Sequence, residues 1–454
     1  MRKNRSNSME KIIRQVFTTL FLFVVISVQA QEKDTLLTNY LRNAQYQRAI
    51  EYIDMQDTTK NLAYQKALCY KWLNNYSKAI EILKTVHENY PDDIPVQMEL
   101  AQCYEANLQY AQSIDCYERL TKADSTNTYF QVRKADLLYR AEKYTTALEN
   151  YLQINPETYN PTYLKKSIAL CYEKLNLPDS AKVCYQTAWE MDTSDIFSAL
   201  SLVKLCIQQK DYANTLSYSE KFLAADTTNN PMNVLNAIAY YNLNEYEKAV
   251  PRFEKCRAAG DSSLQVIRSL GISYFFLQND SAAYPYLHRA YERDTANITV
   301  LYALAQVGYN LAQYPEAIDA YKKLIENELP NRNALYNYYN GLAQACEKDS
   351  LYQDAKNFYM TASQFASSNG QSMTLYFNLA ALLETYLKEY SLAVFYYTQY
   401  QATLMNYQDS LLGNPNPDPE ETKAIEIKLK ALAEHISQLK AEHKIDYTDK
   451  IWNN

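Results

Sequence analysis

The chain has 454 residues, more than one compact core usually organises, so it either holds several domains or grows by repetition. Only six Gly and 13 Pro interrupt it, while Tyr occurs 44 times and hydrophobic residues make up 47%; this excludes a largely disordered chain and favours helices. The formal net charge is −7 and no basic stripe is present, which argues against a nucleic-acid partner, because neutralising phosphates takes clustered Lys and Arg.

The first thirty residues stand apart. Arg2, Lys3, Arg5, Lys11 and Arg14 form a basic start, an apolar run from Val16 to Val28 follows, and Gln29-Ala30 ends it. Charged end, short apolar core and small residue before the cut are the layout of a secretory signal peptide, with cleavage expected between Ala30 and Gln31. The apolar core is short for a membrane span, and an uncleaved anchor is the competing reading. The Val-Gln-Ala-Gln ending resembles that of exported proteins of Bacteroidetes-type bacteria. Export would place the protein in the periplasm or at the cell surface, with no membrane span after cleavage. Cleavage removes five basic residues and Glu10, taking the net charge from −7 to about −11.

From residue 31 to about 411 the sequence repeats. Ala67, Ala101, Ala135, Ala169, Val203, Ala237, Gly271 and Ala305 are spaced by 34. Nine residues after each stand Tyr76, Tyr110, Tyr144, Pro178, Tyr212, Tyr246, Asp280 and Tyr314. Twelve after each stand Ala79, Ser113, Ala147, Ala181, Thr215, Ala249, Ala283 and Ala317. One unit shows the physics. Leu62, Ala67, Tyr70 and Leu73 fall near helical spacing, Asn74-Asn75 breaks the pattern, and Ala79, Ile80, Leu83 and Val86 share one face of a second helix before Pro91. This predicts two short helices in a hairpin. Small residues at Ala67 and Ala79 let them cross closely, and stacking buries what one hairpin cannot.

These registers resemble the tetratricopeptide repeat family. Its second-helix aromatic reappears as Tyr117, Tyr151, Tyr185, Phe253 and Tyr321, and the clearest stretch is Tyr314-Pro-Glu-Ala-Ile-Asp-Ala-Tyr321. The unit 196–229 departs, with Val203, Thr215 and Ser219 where Ala, Ala and an aromatic are usual. Pro251 and Pro285 lie about a turn into their helices and are expected to distort them. Ala343 with Ala355, and Ala381 with Ala393, keep the twelve-residue offset but are each displaced by 38, which predicts longer turns near Asn331–Arg332 and Ser367–Gly370. A shortened first unit holds Tyr46 and Ala49, giving about eleven repeats. The resemblance implies an all-α, right-handed superhelical solenoid of helical hairpins.

The segment 412–454 begins with a proline-rich breaker, Gly413 to Pro419. Asp418, Pro419, Glu420 and Glu421 then supply a cap, a first-turn proline and acids on the helix dipole. A helix to about Lys444 is expected to cap the open end of the array; a coiled-coil arm is the alternative.

No enzymatic signature is present. Six scattered Gly cannot build a phosphate-cradling loop, and no CxxC or HExxH occurs. Of the four His, His435 and His443 are eight apart and read as a solvated helix face rather than a metal site. No cofactor and no metal are expected. The eight Cys follow the repeat: Cys103 and Cys171 share one register, Cys116 and Cys184 another. Buried free thiols are the favoured reading, and bridges Cys103–Cys116 and Cys171–Cys184 the competing one.

In the resembling family the first helix of each hairpin lines the concave surface. Carried onto this chain, the inward positions of the later units are Val234, Ile238 and Tyr241; Arg268, Ile272, Phe275 and Phe276; and Tyr302, Gln306 and Tyr309. Such a run of apolar and aromatic residues on a groove suits docking of a peptide or protein segment. Earlier units give a polar groove, including Lys71, Trp72, Glu105, Asp136, Tyr139, Arg140, Lys166, Glu173, Lys174 and Lys204. The expected function is a non-catalytic interaction scaffold with a protein partner in the envelope. An envelope enzyme or glycan-handling protein on the same frame is the alternative.

Overall fold

A computed structural model describes residues 35–327, 331–413 and 419–445. The expected signal peptide lies outside the described residues. Those residues form 23 α-helices and no strand. Eleven hairpins follow one another, from Thr35–Arg42 with Tyr46–Asp54 to Asn369–Leu382 with Tyr390–Leu412.

Each hairpin is closed by one residue in the left-handed conformation: Ala44, Asn74, Leu108, Glu142, Asn176, Lys210, Asn244, Gln278, Ala312, Ser350 and Lys388. From Asn74 to Ala312 they recur every 34 residues, and the last two steps are 38. The next N–H reaches back into the last helical turn, as in Asn75 N to Tyr70 O at 2.8 Å and Gln109 N to Tyr104 O at 2.8 Å. This satisfies carbonyls the helix end would orphan. None of the eleven is glycine, the residue that adopts this conformation without strain.

The links between hairpins carry their own chemistry. Asp124, Asp192 and Asp226 each accept from the backbone N–H and the hydroxyl two residues on: Thr126, Ser194 and Thr228. The next helix is often capped by Asn or Asp: Asp93 accepts from Val96 N, Asn160 from Tyr163 N, Asn229 from Met232 N and Asn297 from Val300 N. These short side chains compete with helix continuation and so mark where one hairpin stops and the next starts.

The chain divides into two compact units at Leu205 and Cys206, inside the first helix of the sixth hairpin, Ile196–Gln208. In the first unit Ala67, Ala79, Ala101, Ser113, Ala135, Ala147, Ala169 and Ala181 are all fully buried, with Tyr117, Tyr151 and Tyr185 filling the space beside them. In the second, Ala237, Ala249, Ala283, Ala305 and Ala317 do the same with Phe253 and Tyr321. Ser219 replaces the aromatic in its hairpin, and Asn236 of the next first helix donates to its hydroxyl at 2.9 Å.

Several expectations change in detail. The helices Tyr246–Ala258 and Asp280–Arg293 run through Pro251 and Pro285 without a break. The four extra residues near 332 and 370 do not lengthen the turns between hairpins. They lengthen the first helices: Arg332–Lys348 has 17 residues where Ile298–Asn310 has 13, and Asn369–Leu382 continues into a π-turn, Leu383–Leu387. All eight cysteines carry free thiols, so the bridges Cys103–Cys116 and Cys171–Cys184 are not formed. Their sites beside the small-residue registers make them apolar fillers, and burial pushes Cys69 and Cys171 up to about 12.

The last helix, Pro419–Glu442, buries Ile425, Leu432, Ile436 and Leu439, the last three in the same core as Ala393, Val394 and Tyr397. Its apolar seam is spent within this chain, which removes the basis for a coiled-coil arm. His435 and His443 are not on a solvated face. The His435 ring nitrogen Nε2 sits 3.0 Å from Glu384, and His443 stacks on Tyr390.

Candidate binding surface

In the second unit the residues expected on the first-helix face separate into two groups. Tyr241 is half-buried and meets Tyr246 edge-on at 5.9 Å. Phe276, 53% exposed, stacks on Tyr246 with centroids 4.8 Å apart and planes 9° from parallel. Phe275 is half-buried against Phe276 at 5.3 Å. Val234 and Ile238 pack below, against the core of Ala249 and Phe253. Arg268 is half-buried, its Nη1 3.9 Å from the Asp294 carboxylate.

The second group is Tyr302, Gln306 and Tyr309, all half-buried. Tyr302 lies 5.8 Å from Tyr338, and Tyr309 lies 5.9 Å from Tyr314. Gln306 Nε2 donates to the Tyr321 hydroxyl at 2.5 Å. Among the described residues no ring contact joins the two groups, so the four aromatics Phe275, Phe276, Tyr302 and Tyr309 do not form one cluster. Ile272 is not on the face at all. It is 3% exposed and packs in the core with Leu287 and Val300, because its position turns toward the second helix of its own hairpin and the hairpin that follows.

Phe276 also follows a rule that the repeat registers do not expose. The residue five places after the small one reaches back to the start of the preceding hairpin's second helix. Trp72 meets Tyr46 at 4.9 Å, Phe276 meets Tyr246, and Tyr386 meets Tyr352 at 4.2 Å. Where the pair is polar the clasp is a hydrogen bond, Asn310 Nδ2 donating to Asp280 Oδ2 at 3.0 Å. The signal lies in the sequence as paired aromatics 26 or 30 residues apart, Tyr46 to Trp72 and Tyr246 to Phe276 among them, but it needs the geometry to be read. The clasp uses one face of the outer ring and leaves the other to solvent.

The first unit carries a polar network on its first helices. Lys71 Nζ contacts Glu99 and Gln102, each at 2.5 Å. Glu105 is bridged by Arg133 and by Arg140, the latter at 2.8 Å. Asp136 accepts from Tyr151 at 2.6 Å and Tyr163 at 2.8 Å. Lys166 pairs with Asp195 at 3.2 Å, and Tyr185 donates to Glu173 at 2.9 Å. Burial, then the neighbouring Asp136 charge, pushes the Tyr151 and Tyr163 hydroxyls well above their ordinary range, so they stay protonated donors. A cleft of about 230 Å³ opens beside Asp136, Tyr139, Arg140 and Lys166. Lys174 and Lys204 are exposed.

A second concavity, about 420 Å³, lies over the second helices Tyr76–Asn89 and Tyr110–Ala123. Lys84 and Arg119 oppose Glu88 and Asp115 there, and His87 Nδ1 is buried without a hydrogen-bond partner. Among the described residues no group of three or more His, Cys, Asp and Glu is placed to hold a metal ion. No described helix is long and apolar enough to cross a membrane.

Comparison with known proteins bears on this architecture. A tetratricopeptide repeat model matches residues 73–137. Superkiller complex protein 3 of Homo sapiens is 22% identical over 347 residues, which is 72% of this chain and 22% of that protein. Anaphase-promoting complex subunit 3 of Schizosaccharomyces pombe is 22% identical over 175 residues, 38% of this chain and 26% of that protein. The chain thus spans about a quarter or less of the length of these curated relatives. Among solved structures, the C-terminal part of a tetratricopeptide repeat-containing protein from Cytophaga hutchinsonii has 18% identity and a TM-score of 0.39, over 52% of this chain and 95% of that one. With two successive repeats matched by the family model and eleven hairpins in register, the chain carries a tetratricopeptide repeat segment and is built as a tetratricopeptide-type array.

Proposed function

We propose that this chain is a non-catalytic scaffold, exported to the cell envelope, that holds a peptide or protein segment on its first-helix face. The observation that carries the reading is Phe276: a large ring on a rigid helix, stacked on Tyr246 from behind and 53% exposed in front. An aromatic fixed by one contact and open on its other face offers contact area at little further entropy cost. Tyr241, Phe275 and Arg268 surround it, and Tyr302, Gln306 and Tyr309 supply a second, more polar patch on the next first helix.

The alternative, an envelope enzyme, would be supported by converging carboxylates held above their usual range. The carboxylates with a clear displacement here, Asp124 and Asp261, move the other way, through hydrogen bonds from Thr126 and Ser263. Affinity capture from envelope extract with the wild-type chain and with Phe276→Ala tests the proposal. The specific partner should be lost or weakened with the variant while the helical melting curve is kept. Equal capture by both proteins, with the variant less stable, would make Phe276 an inter-hairpin clasp only. Mass spectrometry of the exported protein should find Gln31 at the N-terminus; an intact first segment recovered in membranes would defeat the export reading.

A further inference from the structure

The cleft beside Asp136 has a donor and acceptor pattern that selects among side chains. Asp136 is 13% exposed, and both tyrosine hydroxyls bond the same oxygen, Oδ1. Oδ2 has only Arg133 Nη1 at 3.5 Å, too long for an ordinary hydrogen bond. One oxygen of a nearly buried carboxylate is therefore held in place with spare accepting capacity.

The charges around it are balanced. Arg133 and Arg140 share Glu105, and Lys166 has Asp195. Three cations stand with three carboxylates, counting Asp136 itself. A ligand ammonium or guanidinium would bring a fourth cation beside Arg133 and Lys166. A ligand carboxylate would face Asp136 and Glu105. Either unbalances a site of low solvent content, where unpaired charge is costly. A neutral group with both a donor and an acceptor avoids both penalties.

From this we infer that the cleft takes the side-chain carboxamide of an asparagine or glutamine in the bound segment. Its NH₂ donates to Asp136 Oδ2, and its C=O accepts from the Arg140 guanidinium, which is half-exposed at the rim. The Tyr139 and Tyr163 rings line the flat faces of the amide. The volume, about 230 Å³, lies below the roughly 300–1,000 Å³ of sites for whole small molecules and suits one side chain. The inference rests on the proposed binding of a protein segment and names what one position of that segment must be.

Panning a display library of short random peptides on the purified chain tests it, in wild-type form and as Asp136→Asn, Tyr163→Phe and Phe276→Ala. With the wild type, Asn or Gln should be enriched at one peptide position. Asp136→Asn keeps the shape but presents a donor in place of Oδ2, so that enrichment should fall about fivefold, the factor one lost hydrogen bond of about 1 kcal/mol gives. Tyr163→Phe frees the carboxylate from one of its two restraints and should lower the enrichment in the same direction, while Phe276→Ala should leave it in place. Enrichment of Lys, Arg, Asp or Glu at the position that Asp136→Asn erases would overturn the assignment. So would Asn or Gln enrichment indifferent to Asp136→Asn. Peptides that depend on Phe276 but not on Asp136 would overturn the cleft alone and leave the scaffold reading standing; no enriched peptide at all would overturn both.

Discussion

The ring of Tyr321 lies against the backbone of Gly341, the fully buried second-helix aromatic of one hairpin meeting the first helix of the next. A Cβ on Gly341 would stand 2.7 Å from Tyr321 Cε1 and 2.5 Å from its hydroxyl. Gly308, also inside a first helix, has room: a Cβ there would meet the Ala317 methyl at 3.6 Å. The same substitution should therefore have opposite signs. Gly341→Ala is expected to destabilise by about 1–3 kcal/mol through overpacking against a ring that cannot swing away. Gly308→Ala is expected to stabilise by about 0.5–1 kcal/mol, from helix propensity and a less free unfolded chain. Urea titration of both variants checks the pair, and equal shifts would contradict the packing.

Leu108 closes its hairpin with φ of 59° and is 73% exposed. A non-glycine residue there costs about 1–2 kcal/mol of backbone strain, and glycine would return part of that as unfolded-state entropy. Leu108→Gly should raise the stability of the third hairpin, Ile94–Ala106 with Tyr110–Ala123, by roughly 0.5–1 kcal/mol, read by hydrogen exchange of the two helices. The same change at Ala101, buried at the helix crossing, should destabilise instead.

For the thiols, titration of the unfolded and unreduced protein should count close to eight. In the native protein the reaction should be slow at most sites, since burial raises Cys103, Cys256 and Cys346 to about 11 and leaves little thiolate at neutral pH. Cys184, partly exposed, should label first. A count of four or fewer in the unfolded protein would mean that bridges form.

Acid should act through the links between hairpins. Asp261 accepts from Ser263 N at 2.9 Å and from Asn230 at 3.1 Å, and its carboxyl is held below its ordinary 3.8 chiefly by the Ser263 backbone bond. A folded-state value below the unfolded one means that stability is present above about pH 4 and is lost as pH falls through the folded value. Asp261→Asn removes that contribution. The stability gap between wild type and variant, measured from about pH 6 down to pH 3, should narrow; a constant gap would show that the charge is not what the link uses.

Much of this architecture is legible in the sequence, because the fold is written in a period. Ala67, Ala79 and Tyr76 and their equivalents fix where helices cross, and Asn74-Asn75 fixes where they turn. What the sequence hides is what depends on direction. Ile272 and Gln306 occupy the same register, yet one points into the core and the other bonds Tyr321, since a register gives a position on a helix but not the depth of its neighbours. The 38-residue steps are legible as insertions, but helix Arg332–Lys348 shows that they extend a helix, where Tyr, Asn, Leu and Ala continue the pattern without a breaker. Spacing alone merges the two aromatic groups of the candidate surface into one, because it says nothing of which ring turns back to Tyr246 and which turns to Tyr338.

The even spacing of the left-handed turn residues has a consequence for how such a chain can change in length. A duplication or loss of 34 residues, with its ends anywhere between Asn74 and Ala312, leaves every crossing, cap and clasp facing the kind of partner it had before. The gene can thus lengthen or shorten the bound segment's track one hairpin at a time. The same event across Ser350 or Lys388 would be out of phase by four residues, about one helical turn. The C-terminal hairpins, with their longer helices and the docked Pro419–Glu442, therefore act as a fixed terminus from which a variable number of modules can be counted.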